Sequence, residues 1–262
     1  GVGRTPIAAQ RNHYMEAAGM REGRKGMGRV WFMLGVPPVL FLMVIVAVSI
    51  YFGVFTRGDA QAIAERVPRA TPYILLMVQV LLVPIFIRTM RAEGWTFRDI
   101  GWQLPAGQNW RQESLIGFLV GAPLGFLYIF VLSPLLTTVQ SVVGDYVPPE
   151  QMLPSLGAAM IPFFIANVVL APFVEENIYR GYAISRLGQR FGVAGAFLLS
   201  CLFFGLFHWA GGFWYIVLTG AVAGGVLGGL FIWRRNIVVA YMAHLALNLV
   251  EFLLVWRMHP VG

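Results

Sequence analysis

Seven runs of mostly apolar residues dominate this sequence, at about 30–55, 71–89, 114–136, 158–187, 192–210, 213–233 and 237–256. A helix needs about 20 such residues to cross the hydrocarbon core of a bilayer. Backbone polar groups in lipid must be satisfied within the spanning structure, so runs of this length have to be helices. The expected fold class is an all-α integral membrane protein with seven to eight transmembrane helices. The count is seven if the long, charged fourth run is one tilted helix, and eight if it is two pieces. Composition agrees, because 58% of the residues are hydrophobic and only 12% are charged, about half the charged fraction of a soluble domain. The first run is too long for the core of a signal peptide and reads as an anchor.

The net charge of +7 raises nucleic acid as a partner, and its distribution argues against that. Six of the 19 Lys and Arg lie in the first 30 residues (Arg4, Arg11, Arg21, Arg24, Lys25, Arg29), and most others flank apolar runs. Cationic flanks fix the orientation of membrane helices. With the N-terminus in the cytoplasm, 15 of these charges fall on the cytoplasmic side, Arg180 among them, and Arg57, Arg66, Arg69 and Arg257 on the other. The chain then divides into a basic cytoplasmic tail (1–29), N-terminal transmembrane helices (30–136) and a C-terminal transmembrane core (137–262). The stretch 94–104, with Trp95, Phe97, Ile100 and Trp102 among Arg98 and Asp99, is too short and polar to span and is expected in the interface plane. A contact surface for a cytoplasmic partner is the alternative. The lone Cys201 makes no internal disulfide and reads as a small buried residue.

Two runs carry glycine at every fourth position: Gly117, Gly121 and Gly125, then Gly220, Gly224 and Gly228 with Gly225 and Gly229 alongside. In lipid this pattern lets helix backbones approach closely, so it predicts packing. Several prolines also fall inside spans, and Pro172 lies three residues before a charged motif. They free backbone groups that neighbouring helices or water must satisfy.

Ionisable residues at membrane depth are costly and are functional candidates by default. The fourth run holds Glu175, Glu176, Asn177 and Arg180, the fifth ends near His208, and the seventh carries His244, Asn248 and then Glu251. The turn between runs four and five falls near Phe191, with Glu175 16 residues before it and His208 17 after. At 1.5 Å per residue both lie about 25 Å from that turn. Asn248, 12 residues past Asn236, reaches about 18 Å. One layer can therefore hold Glu175, His208 and Asn248. His244 and Asn248 share a helix face at i, i+4. Glu176 and Arg180 have ion-pair spacing, which assigns them to structure and leaves Glu175 for chemistry. A carboxylate and a histidine can hold a water and take its proton as it attacks a carbonyl. A histidine and an amide one turn apart can donate to the oxyanion that forms. Amide or peptide hydrolysis follows as the reaction class. There is no H-E-x-x-H zinc helix and no apparent Ser–His or Cys–His pairing. Glu251 fits either the cavity or the outer interface. His13 and His259 sit in the tails and carry no predicted role.

At these residues the chain resembles the CPBP family, the CAAX proteases and bacteriocin-processing enzymes also called the Abi family. Its three motifs, E-E-x-x-x-R, F-x-x-x-H and H-x-x-x-N, read here Glu175-Glu176-Asn-Ile-Tyr-Arg180, Phe204-Gly-Leu-Phe-His208 and His244-Leu-Ala-Leu-Asn248. They occur in order over about the last 110 residues. The resemblance implies a CAAX-protease-like helical bundle whose cavity opens to the cytoplasmic side or to lipid. It implies Glu175 and His208 as water activators and His244 and Asn248 as the oxyanion site, with Glu176, Arg180 and Phe204 in support. It implies a glutamate-dependent protease with no cofactor, although the family was long held to be metalloproteases. The expected location is a bacterial inner (cytoplasmic) membrane.

Three readings stay open on the sequence. The first is an intramembrane endopeptidase acting on a membrane-associated protein or peptide. The second is a non-catalytic accessory or scaffold subunit of a larger membrane protein complex, docked through the basic tail on a partner or on anionic lipid. The third is a small transporter or channel using Glu175 and His208 as a proton relay. The expected partners are membrane lipids and a peptide or protein substrate, not nucleic acid.

Overall fold

A computed structural model describes residues 27–148 and 159–258. The basic tail up to residue 26, His13 and His259 lie outside the described residues. Six helices are long and apolar enough to cross a membrane: α1 (Gly28–Phe55), α2 (Ala60–Ala92), α3 (Trp110–Val143), α4 (Met160–Phe207), α5 (Phe213–Arg234) and α6 (Ile237–Arg257). No strand occurs among the described residues. The chain is an integral all-α membrane protein, as its apolar runs require. Outward-facing side chains such as Leu119, Phe130 and Leu198 are exposed and apolar, which is what a lipid-facing surface needs and a soluble one avoids.

The helix α4 accounts for two of the seven expected runs. It breaks at Gly192, whose φ of 70° and ψ of 173° are not helical. A residue with a Cβ adopts this conformation only with strain. The break falls one residue after the turn expected at Phe191, and the two arms fold back on one another. Ser200 Oγ of the second arm donates to the carbonyl of Tyr179 in the first, at 2.7 Å. The third run extends to Val143, past its expected end at 136.

Both glycine patterns are helix contacts. A Cβ at Gly121 would land on the Ala243 carbonyl of α6, and one at Gly117 would meet the Val239 carbonyl at 2.5 Å. Gly125 faces Leu247 in the same way. These three glycines let α3 lie directly on the backbone of α6, the helix that carries His244 and Asn248. Gly220 and Gly224 likewise face Cys201 on the second arm of α4, while Gly225 and Gly229 face open space.

The ends of the helices fall into two faces. The arginines at 29, 88–111, 186–190 and 234–235 gather at one face, and Arg57, Arg66, Arg69 and Arg257 mark the other. Buried ion pairs tie the arginine-rich face together. Glu93 binds Arg186 at 3.0 Å and accepts from Tyr182 at 2.8 Å. Glu113 binds Arg234 and accepts from Asn236. The 94–104 segment docks here. Ile100 is fully buried, Gly181 passes against its carbonyl, and Trp95 packs edge-on against Tyr182. Arg180 does not belong to this face. It is completely buried, and removing it from the charge count leaves the asymmetry standing. On the opposite face Asp145 caps the start of α5 by accepting from the backbone N–H of Phe213 at 2.8 Å and of Trp214 at 3.2 Å.

The glycine contact yields a test. Gly121→Ala forces α3 off α6 and should lower stability by about 1–3 kcal/mol, the usual cost of overpacking. Gly229→Ala, inside a helix where the added methyl meets nothing within 4 Å, should keep or raise it, by up to about 1 kcal/mol. Thermal unfolding of the two variants in detergent separates these outcomes.

Candidate active site

The first arm of α4 is unusually wound. π-helical turns run over Phe164–Leu170 and Glu176–Ile184, on either side of a short α-helical piece, Ala171–Glu175, that begins with Pro172 at its second position. Pro172 has no N–H to offer the preceding turn, and wide turns of this kind absorb such a defect. The result turns adjacent carboxylates to different partners.

Glu176 is fully buried, and its Oε1 accepts twice: from Arg180 Nη1 at 3.0 Å and from His244 Nδ1 at 2.8 Å. The expected ion pair is present, and it carries a third member from α6. Because the carboxylate accepts, His244 keeps its proton on Nδ1, and Nε2 is the ring atom left for other contacts. Glu175 accepts from Gln79 Nε2 of α2 at 3.1 Å through Oε1, and its Oε2 is buried with no hydrogen-bond partner among the described residues.

Phe204 holds both histidines in place. Its carbonyl accepts from His208 Nδ1 at 2.8 Å, which leaves Nε2 of His208 as the basic nitrogen. Its ring lies 4.9 Å from the His208 ring and 6.0 Å from that of His244. The Arg180 guanidinium sits 4.0 Å over the same ring, a cation–π contact that is strong when dry. Asn248 donates one amide hydrogen to the Asn167 carbonyl at 2.7 Å. Its second amide hydrogen and its Oδ1 remain for other contacts.

Glu175, His208, His244 and Asn248 line one cavity of about 750 Å³, together with Phe204. The common layer expected from helix rise is thus a common cavity. Glu176 and Arg180 stand behind its wall. Glu251, which fits two places on the sequence, lies in the wall one turn beyond Asn248. Two further participants have no sequence signal: Gln79, whose partner is 96 residues away, and Asn167, which acts through its backbone. Among the described residues no group of three His, Cys, Asp or Glu side chains is placed to hold a metal ion.

The cavity sits off-centre along the helices. Its walls come mostly from the arginine-poor halves of the helices: 64–79 of α2, 128–136 of α3, 163–175 of α4, 208–223 around the start of α5 and 244–255 of α6, with Gln79 and His244 reaching past mid-helix. Toward the arginine-rich face the site is backed by the docked 94–104 segment, where Trp102 Nε1 donates to Asn177 Oδ1 at 2.7 Å. The resemblance implies a mouth on the cytoplasmic side or toward lipid, and the charge asymmetry puts the arginine-rich face in the cytoplasm. A cytoplasmic mouth does not fit with that asymmetry, whereas a mouth toward lipid is compatible with it.

Comparison with curated proteins and with solved structures gave no match. Residues 157–250 do match one family, described as Rce1-like, type II CAAX prenyl endopeptidase Rce1-like. That region contains all three motifs and is similar to this family, in agreement with the resemblance that the motifs carry.

Proposed function

We propose that this protein is an intramembrane endopeptidase that hydrolyses a peptide bond of a membrane-associated protein or peptide. The observation that carries this reading is the convergence of Glu175, His208, His244 and Asn248 on one cavity inside the helix bundle. Four such groups from three different sequence segments are expensive to bring to membrane depth without a function for them.

The mechanism follows from which atoms are already engaged. Gln79 tethers Glu175 through Oε1, so Oε2 takes the proton of the attacking water. His208, with Nδ1 held by the Phe204 carbonyl, offers Nε2 as a second acceptor that orients the same water. As the water oxygen bonds to the scissile carbonyl carbon, negative charge gathers on the carbonyl oxygen. The free amide hydrogen of Asn248 donates to that oxygen, and His244 adds a second donor through Nε2–H in its imidazolium form, in which both ring nitrogens carry protons and Nδ1–H stays on Glu176. The proton held by Glu175 then passes to the departing amine nitrogen as the C–N bond breaks. Glu176 touches no reacting atom in this scheme. It positions His244, and Arg180 balances its charge.

This division between adjacent carboxylates is testable. Glu175→Gln preserves shape and should cost at least ~100-fold in cleavage, the scale of a lost general base, with the unfolding midpoint unchanged. Glu176→Gln leaves Arg180 buried without its charge partner and should destabilise by about 3–5 kcal/mol, with cleavage falling as well. Native membranes carrying wild type or Glu175→Gln, compared by peptide mass spectrometry, supply the activity readout. Accumulation of uncut precursors in the variant supports the endopeptidase. An unchanged peptide inventory with the same membrane partners co-purifying would refute it in favour of a scaffold subunit of a membrane complex.

The oxyanion site makes a separate prediction. Asn248→Ala should reduce kcat by about 10²–10³-fold with little change in KM, because the lost hydrogen bond forms only as charge develops. Loss confined to KM would assign Asn248 to substrate binding instead.

A further inference from the structure

The cavity and the arginines occupy opposite ends of the same helices. Most of the wall comes from the helix halves nearer the arginine-poor face, and only floor residues such as Gln79 of α2 and His244 of α6 lie past the midpoints of their helices. Glu65 of α2 is exposed and belongs to that wall, so it stands at the mouth. Gln79, one helix half deeper, stands at the floor beside Glu175. Behind the floor the arginine-rich end is closed by packing. The Ile100 carbonyl lies against Gly181, and Gly101 (φ 102°) lies against the backbone of Ile237. Trp102 is hydrogen-bonded to Asn177, and the pairs Glu93–Arg186 and Glu113–Arg234 join the flanking helices. Excess Lys and Arg in short loops marks the cytoplasmic side of a membrane protein. The loops around 88–111, 186–190 and 234–235 carry that excess.

We infer that the cavity receives its substrate from the non-cytoplasmic side of the membrane: a peptide segment exported across the membrane, or anchored at its outer leaflet, and not a cytosolic C-terminus. What enters rests on the endopeptidase reading; where the mouth lies does not. The aperture suits an amphipathic segment. Glu65 and Arg69 offer opposite charges at its edge, and below them Val67, Leu75, Leu136 and Phe163 line the descent. A chain can keep polar groups at the interface while its scissile bond reaches Glu175. A soluble cytosolic tail would meet the packed 94–104 segment instead.

The single native cysteine makes the test direct. In the full-length protein, Cys201→Ser supplies a thiol-free background. Glu65→Cys then reports the mouth and Arg98→Cys the opposite face; both native residues are exposed and neither belongs to the catalytic machinery. Right-side-out and inverted vesicles from a bacterial expression host are treated with a membrane-impermeant maleimide. The expected result is labelling of Glu65→Cys in right-side-out vesicles alone and of Arg98→Cys in inverted vesicles alone. The reverse pattern, or labelling of both variants in the same preparation, overturns the inference. Internally quenched peptides added outside the same vesicles should be cut by the right-side-out preparation and not by the inverted one. Cutting only by inverted vesicles also overturns it. If neither preparation cuts, the endopeptidase reading fails, and the labelling alone decides where the mouth lies.

Discussion

One carboxylate oxygen organises the site. Glu176 Oε1 binds Arg180 of its own helix and His244 of α6, with Glu176 and Arg180 fully buried. Removing charges from water costs several kcal/mol per ion even after relaxation, so such a cluster is poor evidence of stability. Its return is geometric. It locks the face of the first α4 arm to the face of α6 at one depth and fixes the tautomer of His244. Arg180 extends the lock to Phe204, and Phe204 holds His208. A chain of contacts therefore runs from one buried carboxylate to both histidines, and Glu175 is left outside it.

The glycine contact between α3 and α6 has the same consequence from the other side. The position of α6 decides where His244 and Asn248 stand. With Gly117, Gly121 and Gly125 against its backbone, α6 is gripped along the stretch that carries both residues. Packing at this distance leaves little freedom to slide, because any shift drives Cα atoms into carbonyl oxygens. Site geometry thus depends on residues that have no chemistry of their own.

Much of this is legible in the sequence, for definable reasons. Apolar runs must become helices in lipid, and equal distances from a turn put Glu175 and His208 at one depth by helix rise alone. Period-four glycines announce close packing, and i, i+4 spacing announces the Glu176–Arg180 pair. The partners of Glu175 and Asn248 are not legible. Gln79 lies on α2 with no motif around it, and Asn167 contributes a backbone carbonyl, which every residue possesses. The third member of the Glu176 cluster is also hidden. The resemblance implies His244 in the oxyanion site, and only the packing shows that one of its ring nitrogens is spent on Glu176. The charge count errs at Arg180 for a related reason, since spacing cannot tell an arginine at a helix end from one buried inside.

The direction of the mouth is where local and global signals diverge. Motifs fix which residues meet but not which way a cavity opens, because one layer of side chains can be approached along the helices from either end. The approach is decided by what fills the other end. Here the 94–104 segment, with Trp95 against Tyr182 and Trp102 against Phe173 and Tyr241, occupies the arginine-rich end as packed protein. Its aromatic residues, which an interfacial anchor would turn toward lipid headgroups, are turned at least partly into the bundle. A short polar connector packed across one end of a cavity leaves the other end, or a gap between helices, as the route to Glu175, and the inference of a non-cytoplasmic mouth adds to this that arginines flanking the connector mark its end as cytoplasmic.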